Sequence, residues 1–453
     1  MSYDMVNILQ NHEISQELFD KIAQTEKLSQ LVRLIFQLSL LFGKLFLEEL
    51  LEQRSSEKTQ WPNCPQCGKR LHSKGMFERQ MTTLLGSVFW HRRIGRCPNK
   101  CQIGQVVPFD DALGIQAHQL SSTDLIELGC LLAVFVPYGI ASQLLSHFLG
   151  ISIDPMSLWN WVQCFGQKAM DQLESQLVAF QAGESVPPEM MEENLATLIA
   201  LMGADGVFVP FRPNGGKPHG KTVFYEIKVG IITRIQEKIT KAGKTVTSLL
   251  QRRLTAVLGD SEQLTQRLRL EAHLQRITEA EKVIWLSDGG KWLWNIVKNY
   301  FPWVVGILDF YHAAQNLSKA AKGYLDGRTQ ASKTWFQETR HRLRHGEEKE
   351  LIKEIKQTIQ EKKSDDKVDT TALESFITYI GNHENHIQYQ TLKESGIPIG
   401  SGFVESACKW LIQQRFKCVG MRWSISGFNH LLHLRLLWVN GRWDTLFKPS
   451  PSP

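Results

Sequence analysis

The sequence predicts a mixed α/β core with a large all-α insertion, preceded by a helical N-terminus, a ribbon built on four cysteines and a helix-turn-helix-like domain. Three observations carry that prediction. Between 195 and 312, runs rich in β-branched and aromatic residues come first and then alternate with helical patterns. From 313 to 396 the strand pattern lapses and charged residues recur at helical spacing. Upstream, four cysteines stand in two close pairs, Cys64-x-x-Cys67 and Cys97-x-x-x-Cys101.

A chain of 453 residues exceeds one ordinary domain and fits roughly two to four. Its 42% hydrophobic and 22% charged residues exclude global disorder, and a formal charge of +6 suits an anionic partner without requiring one. "MSYDMVNILQNHEISQELFD" carries acids where a signal peptide needs basic and apolar residues. Arg33 and Lys44 interrupt "LVRLIFQLSLLFGKLFLEELL", and Glu127 and Pro137 interrupt "LIELGCLLAVFVPYGIASQLL". Both therefore read as core helices rather than membrane spans, and the chain is expected to be soluble and cytoplasmic, with no membrane partner. A disulfide framework would be unusual in so large a cytosolic chain.

The elements follow in order. Residues 1–58 form the helical N-terminal region, where apolar residues from 13 to 55 recur every three or four positions, as in a packing helix or a dimer contact. Residues 59–115 form the ribbon. "WPNCPQCGKRLHSKG" and "IGRCPNKC" supply two knuckles, and "RQMTTLLGSVFWHRRI" between them alternates like two strands around a turn. Four thiolates on such a hairpin can share one Zn²⁺ ion, closed to substrate and therefore structural. Residues 116–180 give three helices, the third starting at Pro155 with Asp154 as its cap. A helix-turn-helix and a plain bundle both fit, because the third helix exposes few basic residues. "QAGESVPPEMMEENLA" reads as a linker. The core opens at 195 and runs to 312 through five strands: one leading to Asp205, then "TVFYEIKVGIITRI", "LTAVLG", "KVIWLSDGG" and the start of "WVVGILDFYHAAQNL". After the insertion, residues 397–447 supply a closing helix and a basic segment.

Candidate chemistry gathers on acids at strand ends. Asp205 in "GADG" and Asp288 in "SDGG" each meet small residues at once, although a strand-end Asp-Gly is also an ordinary turn. Glu405 starts the closing helix, where Val404, Ala407, Cys408 and Leu411 form an apolar stripe and Glu405, Lys409 and Gln413 an adjacent ridge. It is the lone acid between Gly400 and Trp443, among Lys409, Arg415, Lys417, Arg422, Arg435 and Arg442. Three converging carboxylates repel unless a cation joins them, and hard oxygen donors suit Mg²⁺ or Mn²⁺. The basic residues then suit nucleic-acid phosphates. Asp309 and His312 of "LDFYH" can reach the same mouth, or pair at the edge of the core.

Taken together, the cysteine ribbon, "GADG", "EIKVG", "SDGG", "LDFYH" and above all "IGSGFVESACKWLIQQRFKCVGMRWS" resemble a DDE transposase of a bacterial insertion sequence, of the ISKra type, with a ribonuclease-H-like core. The resemblance covers nearly the whole chain. It implies Asp205, Asp288 and Glu405 as the catalytic acids on two Mg²⁺ or Mn²⁺ ions, with Asp309 and His312 as accessory residues. Either Asp288 or Asp309 fits the second acid, and the strand position of Asp288 favours it. One departure is the spacing of Cys97 and Cys101, three residues where a knuckle usually has two.

The resemblance further implies cleavage at the element's ends and attack of the freed 3′-hydroxyl on target DNA. Terminal inverted repeats and target DNA are then the partners, and a homodimer or larger assembly acts near the bacterial nucleoid. Lys409, Arg415, Lys417 and Arg422 would meet phosphates, while Trp410 and Trp423 either stack on bases or are buried. Two alternatives keep the same fold: a DNA-binding regulator that no longer cuts, and a metal-dependent nuclease without strand transfer.

Overall fold

The computed structural model describes residues 13–213, 220–239, 245–362 and 369–448. The first part of the N-terminal stretch, residues 1–12, lies outside them. The chain divides into two compact units, Met1–Val162 and Gln163–Pro453. Among the described residues no helix is long and apolar enough to cross a membrane.

In the first unit, α1 (Glu13–Ala23) and α2 (Leu28–Ser56) replace the single helical run that periodicity suggests. Strands β1 (His72–Thr83) and β2 (Gly86–Arg96) pair antiparallel; β1 begins earlier and β2 ends later than their alternation predicts. Leu51 of α2 packs on Met81, Val88 and Trp90, the apolar face of this hairpin. Glu48 and Glu52 of α2 accept the Phe89 and His91 amides at 3.0 and 2.8 Å, so side chains satisfy an edge that would otherwise be open. Helices α3 (Pro108–Ala112), α4 (Thr123–Phe135) and α5 (Tyr138–Leu149) follow, and α6 (Pro155–Gln181) starts in the first unit and runs on into the second. Ser122 caps α4, and the Asp154 carboxylate accepts the Met156 amide at 2.7 Å at the start of α6. The expected three helices are present, with the third running on to Gln181.

The second unit is built on a five-stranded mixed sheet in the order β5-β4-β3-β6-β7. Its strands are β3 (Ala200–Phe211), β4 (Val223–Ile239), β5 (Thr245–Val257), β6 (Val283–Ser287) and β7 (Val305–Leu308). The first three form an antiparallel meander, and β6 and β7 add parallel to β3. β6 is buried throughout, so successive residues feed opposite layers. Val283 and Trp285 face a core with α7 (Ser261–Leu274) and α8 (Lys291–Tyr300). Ile284 and Leu286 face a core with α9 (Phe310–Tyr324) and the helices after it, α10 (Gln330–Arg344), α11 (Glu348–Lys362) and α12 (Thr371–Gly381). The closing segment supplies α13 (Gly402–Cys408) and α14 (Ile425–Val439).

Three sequence expectations are corrected here. Asp205 lies inside β3, paired across from Val229, rather than at a strand end. β6 pairs with β3 only through Ala200, Leu201 and Met202, so β3 runs on past its neighbour and the acid still borders an open edge. β5 extends well upstream of "LTAVLG", because antiparallel pairing carries polar residues that period-two patterning does not flag. The expected linker is a mostly exposed strap anchored at two points. Its Val186 is buried, and Glu189 pairs with Arg253 at 2.9 Å and Arg442 at 2.5 Å.

Candidate active site

The site starts from a glycine. A Cβ on Gly203 would lie 2.6 Å from both the Leu286 carbonyl oxygen and Val404 Cγ2, so only glycine lets α13 cross β3 this closely. That crossing sets Glu405 beside a strand whose next inward residue is Asp205, on the same face as Leu201 by strand alternation. Asp205 Oδ1 accepts the Gly206 amide at 2.7 Å. Burial pushes its carboxyl above the ordinary range, and the charges of Asp288 and Glu405 push the same way.

Asp288 sits immediately after β6. Its Oδ1 accepts the Gly290 amide at 2.8 Å, and Trp294 Nε1 donates to its backbone carbonyl at 2.7 Å. Glu405 is half exposed, at 50% of its side chain, and lies 3.7 Å from Lys409. Beyond α13 the helix widens into a π turn, Lys409–Gln413. This shifts Gln413 off the expected ridge with Glu405 and Lys409, because a π turn changes the angular spacing of side chains.

Asp309 differs in kind. It is 2% exposed and caps α9, with Oδ1 accepting the Tyr311 amide at 2.5 Å and the His312 amide at 3.1 Å. Its Oδ2 accepts the Ser401 amide at 2.6 Å and the Ser401 hydroxyl, with His312 Nδ1 at 3.5 Å. Burial alone would raise this carboxyl, but the bonds from His312 and Ser401 hold it down at about 2. His312 is raised in turn, first by its bond to Asp309, against burial, and then by the charges of Asp309, Asp288 and Glu405.

Among the described residues, one cluster brings at least three ligand atoms all within 4.8 Å of one another: the sulfurs of Cys64, Cys67, Cys97 and Cys101. That quartet can hold a metal ion such as Zn²⁺, as its spacing predicts. Cys97 is buried, which favours the thiol, yet hydrogen bonds from the Cys101 backbone and the Cys67 thiol hold it down to about 6. Its neighbours push Cys101 up to about 12, led by Cys67 and Cys97. One proton leaves easily and the next resists, the imbalance a shared cation relieves. The three carboxylates feel one another's charge but are not drawn together to that distance.

The basic segment splits into two roles. Lys409, Lys417 and Arg422 are exposed. Arg415 is 1% exposed and lies 5.3 Å above the Trp423 ring, whose Nε1 donates to the Phe416 carbonyl at 3.0 Å. Trp423 also pairs its backbone with Pro210 and Arg212 beside β3. Both therefore brace the closing helix, which corrects the reading of Arg415 as a surface contact. Arg442 is bound to Glu271 at 2.7 and 2.8 Å. Trp410 remains 40% exposed in a groove of about 560 Å³ that Arg252, Ser406, Lys409 and Gln414 also line. Sequence reasoning missed Ser401; its one signal is its place in "IGSG", between two glycines before the Glu405 helix.

No family model matches the chain. It is similar to the UPF0236 protein in vanSb 3'region of Streptococcus gallolyticus, at 25% identity over 382 residues that span 82% of this chain and 75% of that one. Among solved structures, the Drosophila P element transposase strand transfer complex covers 74% of this chain and 83% of its own. The identity there is 10% and the TM-score 0.24, too low to carry an argument about this chain.

Proposed function

We propose that this chain is a transposase-like enzyme that cuts and rejoins DNA by phosphoryl transfer, with Asp205, Asp288 and Glu405 as its catalytic acids on a ribonuclease-H-like core. The observation that supports it best is the placement of these acids. They come from the middle of β3, the end of the adjacent parallel strand β6, and a helix packed onto β3 through Gly203. Strand order supports the same core, since an antiparallel meander followed by two parallel strands carries Asp205 and Asp288 on its central pair.

The donor set fits hard cations. Asp205 and Asp288 each use one oxygen in a backbone hydrogen bond, and Glu405 is half exposed beside Lys409. Two bound Mg²⁺ or Mn²⁺ ions would supply activation of the attacking oxygen and stabilisation of the leaving one. The chain's own residues orient the DNA. Lys409, Lys417 and Arg422 offer cations to phosphates, and Trp410 offers a ring face beside Lys409. The ribbon, with a structural Zn²⁺ on its four cysteines, and helices α4 to α6 are the segments to which we assign recognition of the element ends.

The test incubates the full-length protein and Glu405→Gln with labelled duplex bordering its own gene, in Mg²⁺ or Mn²⁺. Cutting and joining by the wild type alone is the expected result. Binding without cutting by both proteins would replace the proposal with a regulator, and cutting without joining would replace it with a nuclease.

A further inference from the structure

We propose that Asp309 is a positioning residue that sets Glu405 through Ser401, and that it is not a metal ligand; the inference rests on the phosphoryl-transfer reading above. A carboxylate has about four lone-pair sites. Those of Asp309 meet the amides of Tyr311, His312 and Ser401 and the Ser401 hydroxyl, with His312 Nδ1 a further 3.5 Å neighbour. Nothing is left over for an ion, and the group is sealed from solvent. Asp288 has the opposite character: among the described residues its carboxylate accepts one hydrogen bond, from Gly290 to Oδ1, and it stands at the mouth of the sheet.

The same residue holds both sides of the site. Its backbone amide donates to the Ser287 carbonyl at 2.8 Å, next to Asp288. Its carboxylate holds Ser401, whose carbonyl accepts the Val404 and Glu405 amides at 2.8 and 3.2 Å in the first turn of α13. Phe310 adds a bond to the Ile399 carbonyl at 2.9 Å. A Cβ on Gly400 would lie 2.5 Å from Cε2 of the exposed Tyr311 ring, so any larger residue here would push that ring aside. "IGSG" thus reads residue by residue as a socket: Ile399 pairs with Phe310, Gly400 clears Tyr311, Ser401 takes the carboxylate and Gly402 begins the helix. The socket thus ties the first turn of the Glu405 helix to the end of β6 beside Asp288, with Asp309 as the link.

The test compares full-length wild type with Asp309→Asn, Asp288→Asn, Ser401→Ala and Ser401→Thr. Three readouts are taken: Mn²⁺ titration without DNA, amide hydrogen exchange across 399–409, and cleavage of the duplex bordering the gene. Asp309→Asn and Ser401→Ala should weaken Mn²⁺ binding several-fold less than Asp288→Asn, which removes a ligand outright. Exchange at 401–405 should quicken about tenfold in Asp309→Asn and Ser401→Ala. Asp309→Asn should cut about 100-fold more slowly with unchanged DNA affinity, the cost of a small misplacement. Ser401→Thr, which keeps the hydroxyl, should recover most of the cleavage that Ser401→Ala loses. Loss of Mn²⁺ binding in Asp309→Asn equal to that in Asp288→Asn overturns the proposal, as does unchanged exchange. A wild type that neither binds Mn²⁺ nor cuts defeats the functional reading, and the exchange data still decide the socket. If Asp309→Asn does not fold, the two Ser401 variants decide it.

Discussion

Arg435 of α14 donates from Nε to the Leu411 carbonyl at 2.8 Å and from Nη2 to the Trp410 carbonyl at 2.5 Å. Both acceptors lie in the π turn, where a widened helix leaves carbonyls in need of donors. Burial, with the Arg415 charge adding to it, lowers the Arg435 guanidinium to about 10, still charged at neutral pH. Arg435→Met should therefore destabilise the fold by about 1–3 kcal/mol, the cost of leaving the buried Leu411 carbonyl unpaired. Urea unfolding measures it, and a loss below about 1 kcal/mol would remove Arg435 as the support of the turn.

The split among the basic residues predicts different salt behaviour. Each phosphate contact contributes about −0.9 to the slope of log K against log salt. Alanine at Lys409, Lys417 or Arg422 should flatten that slope by about one unit apiece and leave thermal stability near wild type. Arg415→Met should do the reverse, because its charge is buried against Trp423. DNA-binding isotherms between low and physiological salt separate the two groups, and a flattened slope for Arg415→Met would return it to the surface set.

The acids were legible in the sequence for a local reason. A carboxylate beside glycine at the margin of an apolar run, or a single acid in a basic segment, departs from its own neighbourhood. The central strands were legible for the same reason, since β6 is buried on both faces and reads as an unbroken apolar word. The roles of Ser401, Arg415 and Arg435 are not local. Ser401 acquires its partner 92 positions away, and nothing in "IGSG" names that partner. Arg415 and Arg435 look like every other basic residue until tertiary packing encloses them. The strap at 181–196 misleads likewise, because its polar composition is matched by arginines that arrive from β5 and from the C-terminal segment.

Asp309 gives the fold an acid-sensitive component. Its folded value of about 2 lies below the ordinary 3.8, so the bonded carboxylate stabilises the fold above about pH 4 and that contribution is lost as pH falls toward 2. The shift corresponds to roughly 2 kcal/mol. Ser401→Ala removes one of the bonds that depress it, so its own loss across this window should be smaller than that of wild type. Denaturant unfolding at stepped pH measures both, and equal losses would show that Ser401 does not hold the carboxylate down.

The cysteine quartet makes the last prediction. Cys64 and Cys97 are buried with Leu71, and Trp61, Ile103 and Val106 pack around them, so the ion site is also a small core for the base of the hairpin. Purified protein should carry one Zn²⁺ per chain; its removal by a strong chelator should leave the cysteine quartet as free thiols, with uptake of the protons that metal binding displaces, and lower the melting temperature. Cys64→Ser and Cys97→Ser should lose the metal and loosen β1 and β2, seen as faster amide exchange between 72 and 96. Cys164→Ser and Cys418→Ser, which lie outside the quartet, should keep full zinc content. Elemental analysis beside thiol titration decides the matter. Zinc retained in Cys97→Ser, or lost in Cys164→Ser, would place the ion elsewhere.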